Sequence, residues 1–429
     1  MVRQIVPLLA LVSIVLAIDT QSMFTVPQEE QALPRTVKPY LYLLDLHPRI
    51  SEGYFNGSVD IHIQCFEPTR IIVLHASYEL QLENINLTAI STDYDYDVPA
   101  ITEVARNGST DTLNITLEEE LTEGRVYRLH LEFHGLLKNN DYMYTSPSAR
   151  GFFRDMYTDR ETRETRWFAW TSTFPGFARH LFPCFDEPSF RAEFTVGVSH
   201  LTNMTVLTGW PSLLNKSTGE QGYVMEYFSR TYCIAPYSVG VLVAELDATE
   251  AMNVTSSQGT VELAVHHVRD NYESKVTELV PKVLQFLQDY LQTRFPVDKL
   301  DIVAMPITYF EMERDFPGLI MLSYFKFGDR DEDLYKDLVR QWLRHMVTLE
   351  TWSAFNINEL LTTYLTRYAL SKTSNKQPEL TGESRLTMYD QFATNIEDPS
   401  YFGYIPPYTT ERGKLSLYFG KRQVLWHCS

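Results

Sequence analysis

Residues 178–200 read ARHLFPCFDEPSFRAEFTVGVSH. Its closing segment, AEFTVGVSH, alternates apolar and polar residues with period two, the pattern of a strand with one buried face. Similar runs lie on either side: GSVDIHIQCF at 57–66, RIIVLHA at 70–76 and VYRLHLEFHG at 126–135. They are rich in Val, Ile and Phe and are separated by Gly, Asn and Pro, so the chain from Tyr40 to about Leu246 reads as mostly sheet. Beyond a connecting stretch at 249–259 the texture changes. Val276, Leu279, Val280, Val283, Leu287, Tyr290 and Leu291 recur at helical spacing across Glu273–Leu291, with Pro281 inside as a kink or a later helix start. A strand, LDIVAMP, follows, and then two helices are expected, Asp331–Leu349 and Ile357–Leu370. The order is an all-β domain followed by a mixed, mainly helical one.

The 429 residues, 44% hydrophobic and 21% charged, are ordinary globular composition at a length that splits into two or more domains. A formal charge of -18 without a Lys/Arg-rich run excludes nucleic acid as a natural partner. Arg3 precedes the apolar stretch Ile5–Ala17 and the polar IDTQS, which reads as a secretory signal over residues 1–18. About 13 apolar residues fall short of the roughly 20 needed to span a bilayer, and no later segment is long enough, so a soluble, secreted, extracellular chain is expected. Seven N-x-[ST] sequons, at Asn56, Asn86, Asn107, Asn114, Asn203, Asn215 and Asn253, suit a glycoprotein. Cys65, Cys184, Cys233 and Cys428 show no metal-site spacing and are too few for a disulfide scaffold, which favours buried free thiols.

Several stretches resemble the gluzincin-type zinc aminopeptidases, the aminopeptidase N family. These are LPRTVKPYLYLLDLHP at 33–48, YFNGSVDIHIQCFEPTRIIVLHA at 54–76, the string around FPCFDEP at 182–188, and LQDYLQTRFPVDKLDIVAMP at 287–306. The resemblance implies an N-terminal β-saddle domain over residues 19–247. It implies a thermolysin-like catalytic domain over 248–429 that is degenerate and incomplete, since relatives continue well past Ser429.

The family binds zinc with H-E-x-x-H, two histidines one helical turn apart, and with a Glu on the next helix. The corresponding stretch here, 336–365, is KDLVRQWLRHMVTLETWSAFNINELLTTYL. Gln341, Trp342, Val347, Thr348, Trp352 and Asn358 pin the alignment without a gap. It retains Glu359 as the third ligand, puts Lys336 and Arg340 in place of the histidines, and puts Asp337 in place of the catalytic Glu. Arg stays protonated and Lys must lose a proton before it can ligate, so no zinc cofactor is expected. Either Lys336 and Arg340, spaced i and i+4, salt-bridge Glu359 in the metal's stead, or their side chains simply reach water.

The family's amine-anchoring loop corresponds to EMERDFPGLIML at 311–322, which makes Asp315 the anchoring acid with Glu313 as the alternative. In the family a Gln or Glu also precedes the Ala-Arg pair, and around Ala178 and Arg179 its candidate positions are filled by Ser172 and Phe174. YFGKRQVLW at 418–426 resembles the segment that carries a transition-state tyrosine, and places it at Tyr418. His266 and His267 adjoin on a strand, so they point to opposite faces and cannot chelate one ion together; His345 lies five residues past Arg340. No G-x-S-x-G elbow is present. The implied function is a secreted pseudo-peptidase that binds peptides or proteins. The alternatives are a residual zinc metalloaminopeptidase and a non-catalytic structural glycoprotein.

Overall fold

The computed structural model describes residues 32–90, 97–139, 150–159, 162–248, 251–267, 273–305, 315–323, 331–348, 352 and 355–374. Val37–Arg49 is the spine of the first half. Its burial alternates, with Leu44 and Leu46 facing inward and Asp45 and His47 half-buried on the other face. It pairs antiparallel with Tyr54–Cys65 and parallel with Glu193–Leu201, the strand that closes the quoted 178–200 stretch. These three strands centre a seven-stranded sheet; a five-stranded and a three-stranded sheet complete this half, which is mostly β with short 3-10 turns at Ala178–His180 and Pro236–Ser238.

The FPCFDEP string is a packing device. Arg179 Nε donates to buried Asp186 Oδ2 at 3.0 Å, the Phe185 amide donates to Tyr42 Oη at 3.1 Å, and Cys184 bridges to His75 on a neighbouring strand. Phe182, Phe185 and Phe190 are buried in the same core, where each aromatic side chain contributes roughly 1.5–3 kcal/mol by burial. Cys65 and Cys184 are buried free thiols as expected; Cys233 is not, because it is disulfide-bonded.

The described part of the second half combines a six-stranded sheet with helices. Gly259–His267, Lys299–Met305 and Leu319–Ser323 run parallel, and the short strand Asp315–Phe316 folds back on Leu319–Ile320 as a hairpin. The first helix, Glu273–Leu291, runs through Pro281 and presents Val276, Val280, Val283, Leu284 and Leu287 to the core. The central helix is α-helical only over Asp331–Arg340; from Gln341 to Met346 it widens into a π-helical turn, with the Val347 amide bonded to Trp342 O at 2.8 Å. The helix expected to reach Leu349 therefore changes geometry at Gln341 and its helical turns end at Met346. The last helix is Phe355–Thr373, and none of these helices is long and apolar enough to cross a membrane among the described residues.

The two halves share one core. Phe153, Phe168 and Trp170 of the first half pack with Val303, Met305, Leu319 and Met321 of the second. Gly209 makes this approach feasible: its φ is +76°, and a Cβ there would lie 1.9 Å from the Pro317 carbonyl oxygen.

Candidate functional site

Lys336, Arg340 and Arg344 recur every four residues along the central helix, so their side chains share one face. The π-helical turn takes more residues per turn than an α-helix and brings His345 to the same side as Arg344. Two acidic elements meet this face, Asp315 at the start of the hairpin and Glu359 in the first turns of the last helix.

Glu359 is held on both oxygens. Lys336 Nζ and Arg340 Nη2 reach Oε2 at 3.0 and 3.2 Å, and Arg344 Nη2 donates to Oε1 at 2.8 Å. Asp315 receives Arg344 Nη1 at 3.1 Å and Arg340 Nη1 at 3.4 Å on Oδ1, while His345 Nε2 meets Oδ2 at 2.9 Å. Asp337 Oδ1 lies 3.4 Å from Arg340 Nη1. Lys336, Arg340 and Arg344 thus meet the carboxylates of Glu359, Asp315 and Asp337 in one ion-pair knot. Arg344, Asp315 and Asp337 are almost fully buried, and Lys336 is the most exposed member.

Burial opposes ionisation of both Glu359 and Asp315, but the surrounding cations outweigh it. Arg340, Arg344 and Lys336 hold the Glu359 carboxyl well below the usual range; Arg344, the His345 hydrogen bond and Arg340 do the same for Asp315.

The surrounding residues lock this arrangement. Gln341 Oε1 accepts from the Gly318 amide at 2.9 Å and its Nε2 donates to Phe316 O at 3.0 Å, which clamps the hairpin that carries Asp315. Ser238 Oγ lies 3.1 Å from His345 Nδ1, and Asn358 Nδ2 donates to Leu343 O. Phe174, one of the two candidate positions for the Gln or Glu that the resemblance implies, puts its ring 4.1 Å from the Arg344 guanidinium and packs edge-on to Tyr237 and Trp352. Ser172 is buried at the end of its strand.

The structure therefore brings together Lys336, Asp337, Arg340, Glu359 and Asp315. Glu313 and Tyr418 lie outside the described residues. Arg344 is the member that sequence reading missed, although its spacing from Arg340 repeats that from Lys336 to Arg340. His345 belongs to the cluster as a partner of Asp315. His266 pairs with Asp301 at 3.0 Å in a separate place.

Zinc does not fit this donor set. Glu359, the ligand position that the resemblance implies, has both oxygens occupied by cations, and Lys336 and Arg340, at the positions where it implies imidazoles, are cationic side chains. Among the described residues, no group of three His, Cys, Asp or Glu side chains is placed to hold a metal ion.

Residues 38–237 match the family described as Peptidase M1 N-terminal domain. Curated relatives include endoplasmic reticulum aminopeptidase 1 of Homo sapiens, 25% identical over 368 residues that cover 82% of this chain and 37% of the relative. Aminopeptidase N of Bos taurus is 24% identical, with 79% of this chain and 36% of the relative covered. Aminopeptidase M1-C of Oryza sativa is 27% identical, with 79% and 37% covered. The chain thus spans a little over a third of the length of these relatives.

Proposed function

From a chain that belongs to the peptidase M1 aminopeptidase family, and carries its N-terminal domain over residues 38–237, we propose a catalytically silent function: a secreted glycoprotein that binds peptides or proteins without hydrolysing them. The observation that carries this reading is the ion-pair knot. Glu359 is engaged by Lys336, Arg340 and Arg344, so the carboxylate that would ligate a metal serves an internal salt bridge instead. Asp337 sits beside Arg340 and has no metal-bound water to activate. Asp315, the candidate amine anchor, is consumed by Arg344, Arg340 and His345.

The secretory reading draws support from the sequons. None of the seven asparagines is buried, and Asn86, Asn107, Asn203, Asn215 and Asn253 are exposed. The division into a β-saddle domain over 19–247 and a degenerate catalytic domain over 248–429 belongs to the same proposal. The test is release of aryl amine from amino-acid arylamides by the purified full chain, with and without added zinc. No release in either condition is expected; chelator-sensitive release would overturn the reading.

A further inference from the structure

On the outer face of the seven-stranded sheet, far in sequence from the ion-pair knot, lies a hollow of about 340 Å³. This is within the range of small-molecule sites, roughly 300–1,000 Å³. Strand register builds it. Asp45 pairs with Gly197, Gly197 with Tyr227, and Met225 with Lys216, so these four neighbouring strands converge on a floor where one position carries no side chain. A Cβ at Gly197 would lie 2.6 Å from Asp45 Oδ1 and 2.6 Å from Met225 Cε.

The hollow carries both signs of charge, held apart. Asp45 forms the anionic wall: Tyr227 Oη donates to Oδ2 at 3.2 Å, and Oδ1 accepts no hydrogen bond among the described residues. Burial pushes the Asp45 carboxyl up, outweighing the Tyr227 hydrogen bond and the opposing pull of His47 and Lys216. The cationic wall is Arg49 and Lys216. Arg49 stacks 4.0 Å from the Tyr223 ring centre and spends Nη2 on Glu220, while its buried Nη1 has no hydrogen-bond partner among the described residues. Lys216 Nζ lies 4.6 Å over the Tyr227 ring and forms no salt bridge among the described residues.

We propose that this hollow is a binding site for a small zwitterion, a free amino acid. Its carboxylate meets Arg49 Nη1 and Lys216, and its ammonium meets Asp45. The unpaired guanidinium nitrogen and the ammonium on a ring face call for an anion. The half-buried carboxylate beside them calls for a cation, and one small molecule carrying both satisfies the two at once. This inference extends the ligand-binding part of the proposed function but stands on different residues.

The test is isothermal titration of the full chain with L-leucine, N-acetyl-L-leucine and L-leucinamide. Saturable binding of leucine is expected, with each blocked analogue weaker by roughly tenfold or more, a loss of about 1.4 kcal/mol per charged contact. Asp45→Asn should remove the preference for leucine over the N-acetyl form. Lys216→Met, at an exposed position that leaves folding intact, should remove the preference over leucinamide. Equal binding of leucine and its N-acetyl form, or no binding by any of the three, would overturn the proposal. Arylamide turnover by the same preparation reports separately on the catalytic reading: turnover with leucine titrating into the hollow overturns only that reading, and silence with no titration overturns only this one.

Discussion

Arg344 donates to Glu359 at 2.8 Å through the one carboxylate oxygen that Lys336 and Arg340 leave open. Glu359 is thereby saturated from within the fold, and Arg344 simultaneously reaches Asp315 on the hairpin across the site. One guanidinium joins the acid of the last helix to the acid of the hairpin.

Glu359→Gln keeps the shape and removes the charge, which leaves the buried Arg344 with one carboxylate fewer. A loss of about 3–5 kcal/mol is expected, as for breaking a buried ion pair from one side. Lys336→Ala, at the most exposed member, should cost no more than about 1 kcal/mol. Urea unfolding of both variants checks the ranking, and equal stability of Glu359→Gln and wild type would contradict it.

Restoring the motif alone should not restore the metal. With Lys336→His, Asp337→Glu and Arg340→His combined, Arg344 still holds Glu359 Oε1, so zinc must displace a buried guanidinium. Adding Arg344→Leu should tighten zinc binding by tenfold or more, which corresponds to about 1.4 kcal/mol. Competition with a chromogenic zinc chelator measures both variants. Equal affinity would show that Arg344 does not guard the site.

Gly209→Ala introduces a Cβ against the Pro317 carbonyl at a positive φ. Strain of about 1–3 kcal/mol is expected at the seam between the two halves. Differential scanning calorimetry should show a lowered or split transition; an unchanged melt would contradict the close approach.

Acid should weaken the fold in a defined direction. Glu359 and Asp315 titrate well below the usual carboxylate range when folded, and Glu79, hydrogen-bonded by His180 and paired with Lys138, is lowered to about 2. Because the folded values lie below the unfolded ones, near 4, the stabilisation is complete above that range and fades as pH falls through it. Melting temperature should hold between about pH 8 and 5 and drop below about pH 4, with a shallower drop in Glu359→Gln. A rise in stability on acidification would contradict the assignment.

Much of this was legible in the chain. Period-two alternation marked the strands, and the bounds Glu273–Leu291 coincide with the first helix. The Lys336 and Arg340 positions on one helix face were readable from spacing, and both contact Glu359. Arg344 was not singled out, because the family pattern gives position 344 no role and its partner Asp315 lies on a distant hairpin. The π-helical turn escaped notice because apolar periodicity does not distinguish four from five residues per hydrogen-bonded turn. The clamp from Gln341 to the hairpin was hidden because it is a contact between elements, not a pattern within one.

The most direct measurement is metal content by elemental mass spectrometry on the purified full chain, after dialysis against zinc and then against metal-free buffer. The ion-pair account predicts zinc far below one per chain. One tightly held zinc per chain would show that Lys336, Arg340 and Arg344 do not close the site, and would return the protein to the catalytic members of its family.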